Sequence, residues 1–500
     1  MSEPLPPLQP ELEELDAIIL GTDIKQAIQA ASLALDGRKV LHLDKEPLYG
    51  QRHATRSLRE MLQWSRGSVD LPEALKAHPR DWNLDQCPQL LPAAGDVVDL
   101  LIASEASSHV EFKLLHSAHI LLPDATSPGS SPAQWIPVPS SKEAIFSSTL
   151  SLLEKRKLMR FLTSMTSSVT EEKEEDEASG SFRSWLTNRF GLSSRLADIV
   201  QYGVLMDGLS SPFSSDTLKV QEGRARAQTL IGSVGRYGAS PFLFPMFGMG
   251  DVAQAFCRMA AVHGAIYVMQ RQIGEIQEKD IWLPETRETL HAQRVLAHPD
   301  YLASRPGTTR TRRYLCILSM LDKFMPKGSE EEGEDEEDGM PVEEGMPMVF
   351  TLPPTSDHVP PVYVLSVGHA VQACPKGWLV WHMSFSSNNG SDQEDRLLFE
   401  RSFKEVSRFH TSSPSDPDSA TVTLTWLEDN IPGEDGPSPV LWSLSGKPLE
   451  QIEDLLHHPA FADLKREEEE EIDECEKDER GVEDAEKEGY KEKDEDGPLV

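Results

Sequence analysis

Apolar and polar positions fall into short blocks near the start of the chain. Ala17 to Leu20 is a continuous apolar run that ends on Gly21. From Ile24, apolar residues recur at Ala27, Ile28 and Ala31, the spacing of one helix face, until Gly37 stops the pattern. Val40 to Leu43 is a second apolar run, closed by Asp44. Strand, turn, helix and strand in that order predict a β-α-β unit of the dinucleotide-binding kind, with an acidic residue where a ribose would hang.

The pattern then changes period. A short helix is expected around Leu58 to Trp64 and another from about Gly95 to Ser104. The stretch "VPSSKEAIFSSTLSLLEKRKLMRFLTSM" reads as one long helix opened by a capping box, Ser140-x-x-Glu143, with Leu158, Phe161, Leu162 and Met165 on one stripe. "SRLADIVQYGVLM" repeats the helical spacing at Leu196, Ile199, Val200 and Gly203. Residues 138–228 are thus expected to form an all-helical block inserted in a chain that otherwise alternates strands and helices. Beyond it, Gly248-Met249-Gly250 feeds a helix with two faces. Val252, Ala255, Phe256 and Met259 share the apolar one; Asp251, Gln254 and Arg258 line the other. "RVLAHPDYL", "RRYLCILSML" and "PPVYVLSV…GWLVWHMSF" are read as sheet strands, and "LEQIEDLLHHPAFADLKR" as a last short helix. The fold class is α/β. A Rossmann-like domain is expected in two parts, 1–137 and 229–465, around a helical domain at 138–228, with an acidic insertion at 329–345 and an acidic tail at 466–500.

Charge sharpens this layout. The formal net charge is −35, but it is concentrated. Residues 467–500 hold 18 acidic and 5 basic side chains, 329–345 hold ten acidic, and 171–177 hold six acidic and one basic. Those segments carry most of the excess and have the composition of solvated, unfolded chain. Nucleic acid is not an expected partner. The five cysteines lie far apart with no C-x-x-C pair, so neither a zinc site nor a disulfide framework is signalled, and a reduced, cytosolic setting is expected. The acidic, proline-rich beginning is unlike a signal peptide, no apolar run reaches 18 residues, and "DGPLV" offers no cysteine for prenylation.

The first turn lacks the chemistry its scaffold suggests. Where the fingerprint wants G-x-G-x-x-G, the chain has Gly21-Thr22-Asp23-Ile24-Lys25-Gln26. Asp23 puts a carboxylate at the helix N-terminus, where a phosphate would otherwise bind. Two unit charges about 4 Å apart repel by about 4 kcal/mol at an effective dielectric near 20, roughly three decades of affinity. No FAD or NAD is expected, and a flavin oxidoreductase is the least favoured reading. Other chemical motifs are equally incomplete. Ser140 has no G-x-S-x-G context, Ser445-Gly446-Lys447 lacks the rest of a Walker loop, His457-His458 lack companion ligands, and His42 is read as structural.

Four stretches in order, "LGTDIKQAI…GRKVLHLDKEPLYG", "RDWNLDQCPQLL", "VPSSKEAIFSSTLSLLEKRKLMRFL" and "GRYGASPFLFPMFGMGDVAQAFCRMAAVHGAIY", jointly resemble the Rab GDP-dissociation inhibitor and Rab escort protein superfamily. The resemblance implies a GDP-dissociation-inhibitor-like fold, related to flavoprotein monooxygenases but without flavin, and no catalytic group. It implies a binding platform for GDP-bound Rab GTPases at Tyr49, Asp251, Gln254 and Arg258. Asp251 stands for the family's Glu, and Gly50-Gln51 for its Gly-Gly. Phe242, Phe244, Cys257 and Met259 are more similar to the escort branch than to the inhibitors. In "SFRSWLTNRFGLSSRL", Phe182 and Arg195, with Arg189 as a rival, match the escort branch's docking residues for the α subunit of the Rab geranylgeranyltransferase α/β heterodimer. An escort protein would bind unprenylated Rab, present it to that enzyme, shield the geranylgeranyl lipid in the helical domain and deliver the product transiently to membranes. A dissociation inhibitor that only recycles prenylated Rab is the alternative.

Overall fold

A computed structural model describes residues 15–430, apart from 66–70, 77–78, 124–132, 167–179, 210–212, 215, 302–308, 320–344, 357–358, 388–391 and 411–420. The acidic segments at 171–177, 329–344 and 466–500, the expected last helix, Ser445-Gly446-Lys447 and His457-His458 lie outside the described residues.

The opening unit forms as its periodicity predicts. Strand Leu15–Leu20 pairs in parallel with Val40–Leu43, and helix Ile24–Leu35 crosses between them. Gly37 makes the return turn in a left-handed conformation, with φ +73°. Five strands follow the order Ile266–Val268, Val40–Leu43, Leu15–Leu20, Glu288–Ala297 and Asp280–Leu283; the first four are parallel and the last is antiparallel. Helices Ile24–Leu35 and Met249–Val262 bury their alanine-rich faces together over this sheet, around Ala27, Ala31, Phe256 and Ala260. Small residues let the two backbones approach. This apposition fixes the height of the helix carrying Asp251, Gln254 and Arg258.

A second sheet has seven strands, in the order Val422–Asn430, Thr309–Ser319, Trp378–Ser387, Val362–Val367, Met348–Leu352, Ser117–Leu122 and Gln134–Pro137. Its only parallel pair joins Met348–Leu352 to Ser117–Leu122, bringing together chain from before and after the helical block. Helix Asp392–His410 lies on it through Phe399, Phe403 and Val406.

The helical block departs from the expectation in three ways. The long helix is two, Lys142–Ser147 and Leu152–Thr166, because Ser151 starts afresh: its amide and hydroxyl both donate to the Glu154 carboxylate, at 3.0 and 2.8 Å. The cap of the first piece is Ser141, whose hydroxyl accepts from the Ala144 amide at 3.1 Å; Ser140 is not the cap. Helix Val220–Ser233 also runs past 228. Leu158, Phe161, Leu162, Leu196, Ile199 and Val200 are buried as their spacing predicts, in one apolar core continuous with the seven-stranded sheet. Leu196 and Ile199 span Ser194–Asp198 and the π-helical turn Ile199–Val204 that continues it.

Candidate functional site

Three separate segments build one face. Helix Met249–Val262 begins at Gly248, whose φ of +98° suits glycine. Its first amides are held from outside the helix. The Met249 amide donates to Asp85 Oδ1 at 3.0 Å, and the Gly250 amide to Thr55 Oγ1 at 2.9 Å, while the Thr55 hydroxyl donates to Asp85. A Cβ on Gly248 would lie 2.5 Å from both oxygens, and one on Gly250 3.0 Å from the Thr55 amide nitrogen. The Gly-Met-Gly sequence is therefore a steric requirement of this clamp. Burial pushes the Asp85 carboxyl up to about 7, against the Thr55 and Met249 hydrogen bonds that favour its ionised form.

Below the clamp the helix divides as expected. Val252, Ala255 and Phe256 are buried, Met259 is half-buried, Gln254 and Arg258 are exposed, and Asp251 is half-buried. Tyr49 enters from the loop after the second strand and meets Tyr267 edge-on, with ring centroids 5.8 Å apart. Tyr49, Asp251, Gln254 and Arg258 line one hollow of about 290 Å³, together with His109, Cys257 and Tyr267. Burial pushes Asp251 up to about 6 and Cys257 up to about 12. The hollow offers a carboxylate, an amide and a guanidinium on a rigid helix and a phenol from the loop beside it, which suits a polar protein surface. Sequence reading missed His109 and Tyr267. Tyr267 is reachable only by placing strand Ile266–Val268 beside Val40–Leu43.

The dinucleotide cradle does not fit a dinucleotide. Gln51 is folded over Gly21, its Oε1 only 2.4 Å from where a Cβ on Gly21 would be. Asp23 occupies the helix cap position but makes no side-chain cap bond; its buried carboxylate instead meets His53 Nδ1 at 3.0 and 3.1 Å. That corrects the expectation that Asp23 serves the helix end. Asp44, the ribose position, accepts from the Thr22 amide (2.8 Å), the Thr22 hydroxyl (2.6 Å), the Glu46 amide (2.9 Å) and the Tyr301 hydroxyl (2.8 Å). Gly21, Asp23 and Asp44, at three positions of the fingerprint, are thus each bonded or covered by the chain itself. His42 is structural, its Nε2 2.5 Å from the Gly21 carbonyl, and burial holds its pKa down at about 4. Among the described residues no group of three or more His, Cys, Asp and Glu could hold a metal ion, and no helix is long and apolar enough to cross a membrane.

The second set of expected docking residues divides between core and surface. Phe182 is fully buried, stacked on Trp185 at 5.6 Å and covered by Gly223, so its ring is a core group. Arg195 is half-buried and pairs with Glu154 at 3.1 Å. Arg189 is exposed, its guanidinium 5.9 Å from the Trp185 ring centre.

Fold and site together define a class: a dinucleotide-type scaffold closed to dinucleotides, carrying a polar helix face. The chain belongs to the GDP dissociation inhibitor family, whose model matches residues 12–332. It is 27% identical over 420 residues to the Rab proteins geranylgeranyltransferase component A of Drosophila melanogaster, covering 77% of each protein. It is 28% identical over 322 residues to the Rab GDP dissociation inhibitor beta of Rattus norvegicus, covering 61% of this chain and 68% of that one. Among solved structures, the RAB GDI of Plasmodium falciparum superposes with a TM-score of 0.66 at 17% identity, over 89% of this chain and 97% of that one. An oxidoreductase from Methanosarcina mazei superposes at 0.54 and 12%, over 86% and 94%. The shared fold is the Rossmann-like FAD/NAD-binding type.

Proposed function

We propose that this chain is a Rab escort protein, the non-catalytic, substrate-presenting component of a Rab geranylgeranyltransferase. It binds GDP-bound, unprenylated Rab on the face of Tyr49, Asp251, Gln254 and Arg258, and the convergence of those four side chains on one hollow is the observation that carries this reading. The longer match to component A, against a shorter one to the dissociation inhibitors, favours the escort role. Binding to the transferase α/β heterodimer would use the surface of exposed Arg189 and half-buried Arg195, with Phe182 supporting it from beneath. The helical block at 138–228, between the two parts of the Rossmann-like domain, would shelter the geranylgeranyl chain. At about 0.8 kcal/mol per buried methylene, partial burial of a 20-carbon chain competes with a bilayer. The protein would work in the cytosol and visit membranes only to deliver its cargo.

The test is a prenylation assay with purified transferase and GDP-loaded Rab. Product should form only when this chain is added. Equal product without it refutes the proposal, and tight binding of prenylated Rab with no transferase contact would assign the recycling role instead.

A further inference from the structure

Two departures are far apart in the sequence: Asp23, where the dinucleotide fingerprint wants glycine, and Gln51, where the family has the second glycine after Tyr49, followed by Arg52 and His53. In the fold they are one constellation. Asp23 meets His53 Nδ1 at 3.0 Å and Arg52 Nε at 3.8 Å. His53 Nε2 lies 2.8 Å from Gln89 Oε1, so both ring nitrogens point at oxygens. The Gly50 amide donates to the Thr22 carbonyl and to Thr22 Oγ1, each at 3.1 Å. Gln51 covers Gly21. All three residues of the first turn thus grip the loop that begins at Tyr49. Burial opposes charge on His53, but Asp23 outweighs it and holds the imidazole above its ordinary pKa; the same pairing overrides burial on Asp23 and holds its carboxyl down.

Tyr49 itself is only half-buried, with an edge contact to Tyr267 and a place in the helix-side apolar core. Those contacts leave its backbone to be fixed by the next residues. Gly50 has a φ of +97°, and a Cβ there would lie 3.1 Å from the Ala54 backbone, so the loop is tight and transmits its anchorage directly. We propose that the turn a dinucleotide-binding fold uses for phosphate serves in this chain as a clamp, in which Asp23 and His53 are positioning residues that set Tyr49 on the binding face. The clamp rests on the reading of that face as the Rab platform. It also explains why both departures occur in one chain: a buried carboxylate is tolerable only with its cationic partner in place.

The test uses the full chain with Asp23→Ala, Asp23→Asn and His53→Gln, each made with Tyr49 present and in a Tyr49→Ala background. Affinity for GDP-loaded Rab and amide hydrogen exchange over residues 48–54 are measured after circular dichroism confirms folding. Asp23→Ala should weaken binding about tenfold, with no further loss once Tyr49 is gone, as coupled residues behave. Asp23→Asn, which keeps an acceptor for His53, should recover most of the affinity, and exchange at Gly50 should quicken in Asp23→Ala. Equal loss in both backgrounds, or unchanged exchange at Gly50, overturns the clamp. If the wild-type chain does not bind GDP-loaded Rab, the functional reading falls; exchange at Gly50 still decides the clamp, because it needs no partner. Should Asp23→Ala fail to fold, the Asp23→Asn and His53→Gln pair gives the same comparison.

Discussion

Replacing Phe182 by alanine separates two roles for one aromatic ring. The ring is fully buried, stacks on Trp185 at 5.6 Å and meets Phe161 edge-on at 6.5 Å. Phe→Ala at such a site costs about 3–5 kcal/mol, transfer and cavity terms together. A shift of that size lowers Tm by about 10 °C in a unit of this size. Gly223→Ala supplies an independent lever, since its Cβ would lie 2.4 Å from Phe182 Cδ2 and must displace the ring. The damage from Gly223→Ala should shrink in a Phe182→Leu background, as expected of coupled neighbours. Thermal melts followed by circular dichroism and tryptophan fluorescence, with a transferase pull-down on each variant, make the measurement. If Phe182→Ala melts like the wild type but no longer captures the transferase, the ring acts at the surface and its assignment to the core is wrong.

Arg258→Ala should weaken GDP-loaded Rab by about 1–3 kcal/mol, because arginine at an interface centre is a common hot spot; an isothermal titration with unchanged affinity would remove it from the platform. Its melting curve should stay that of the wild type, whereas Phe256→Ala should lose about 3–5 kcal/mol of stability. Asp251, raised to about 6 by burial, binds its proton more tightly folded than unfolded, so its contribution to stability falls as pH rises from about 4 through 6. Asp251→Asn removes that penalty, and urea melts should show the variant gaining on the wild type at pH 7 relative to pH 4.5. Asp85→Ala should fray the start of helix Met249–Val262 and speed amide exchange at Met249 and Gly250; unchanged exchange would show that Asp85 does not hold the helix.

Local patterns carried the sequence reading furthest. The first β-α-β unit was legible because strand, turn and helix each announce themselves within a few residues, as Gly21, Ile24 and Gly37 do. The two faces of helix Met249–Val262 follow from spacing alone, but the reading of its polar face as a platform rests on the resemblance. What failed was choosing between adjacent signals and pairing distant ones. Ser140 and Ser141 both precede a helical run, and only the geometry picks Ser141; Ser151-x-x-Glu154 was as good a start signal as the one chosen, and it splits the helix. Asp44 stands out at the end of its strand, while Tyr301, which satisfies it, lies 257 residues on. Asp23 suggests a helix-dipole role in the sequence because His53, its actual partner, is brought to it only when the loop folds back. Side-chain pairing across sheets has no periodic trace in the chain.

Strand Val422–Asn430 lies on the open side of Thr309–Ser319, the outermost position of the seven-stranded sheet. It also delivers Glu428 to the buried Arg313 and sets Trp426 edge-on to Trp64 at 5.3 Å. A premature stop codon between helix Asp392–His410 and this strand would therefore be more damaging than the loss of one edge strand suggests. The product would keep every residue of the proposed platform, yet expose an eleven-residue strand edge ready to pair with other chains and strand a guanidinium in the interior without its carboxylate, a defect typically worth about 3–5 kcal/mol. Such a product would be cleared by cellular quality control before the proposed binding face was ever used.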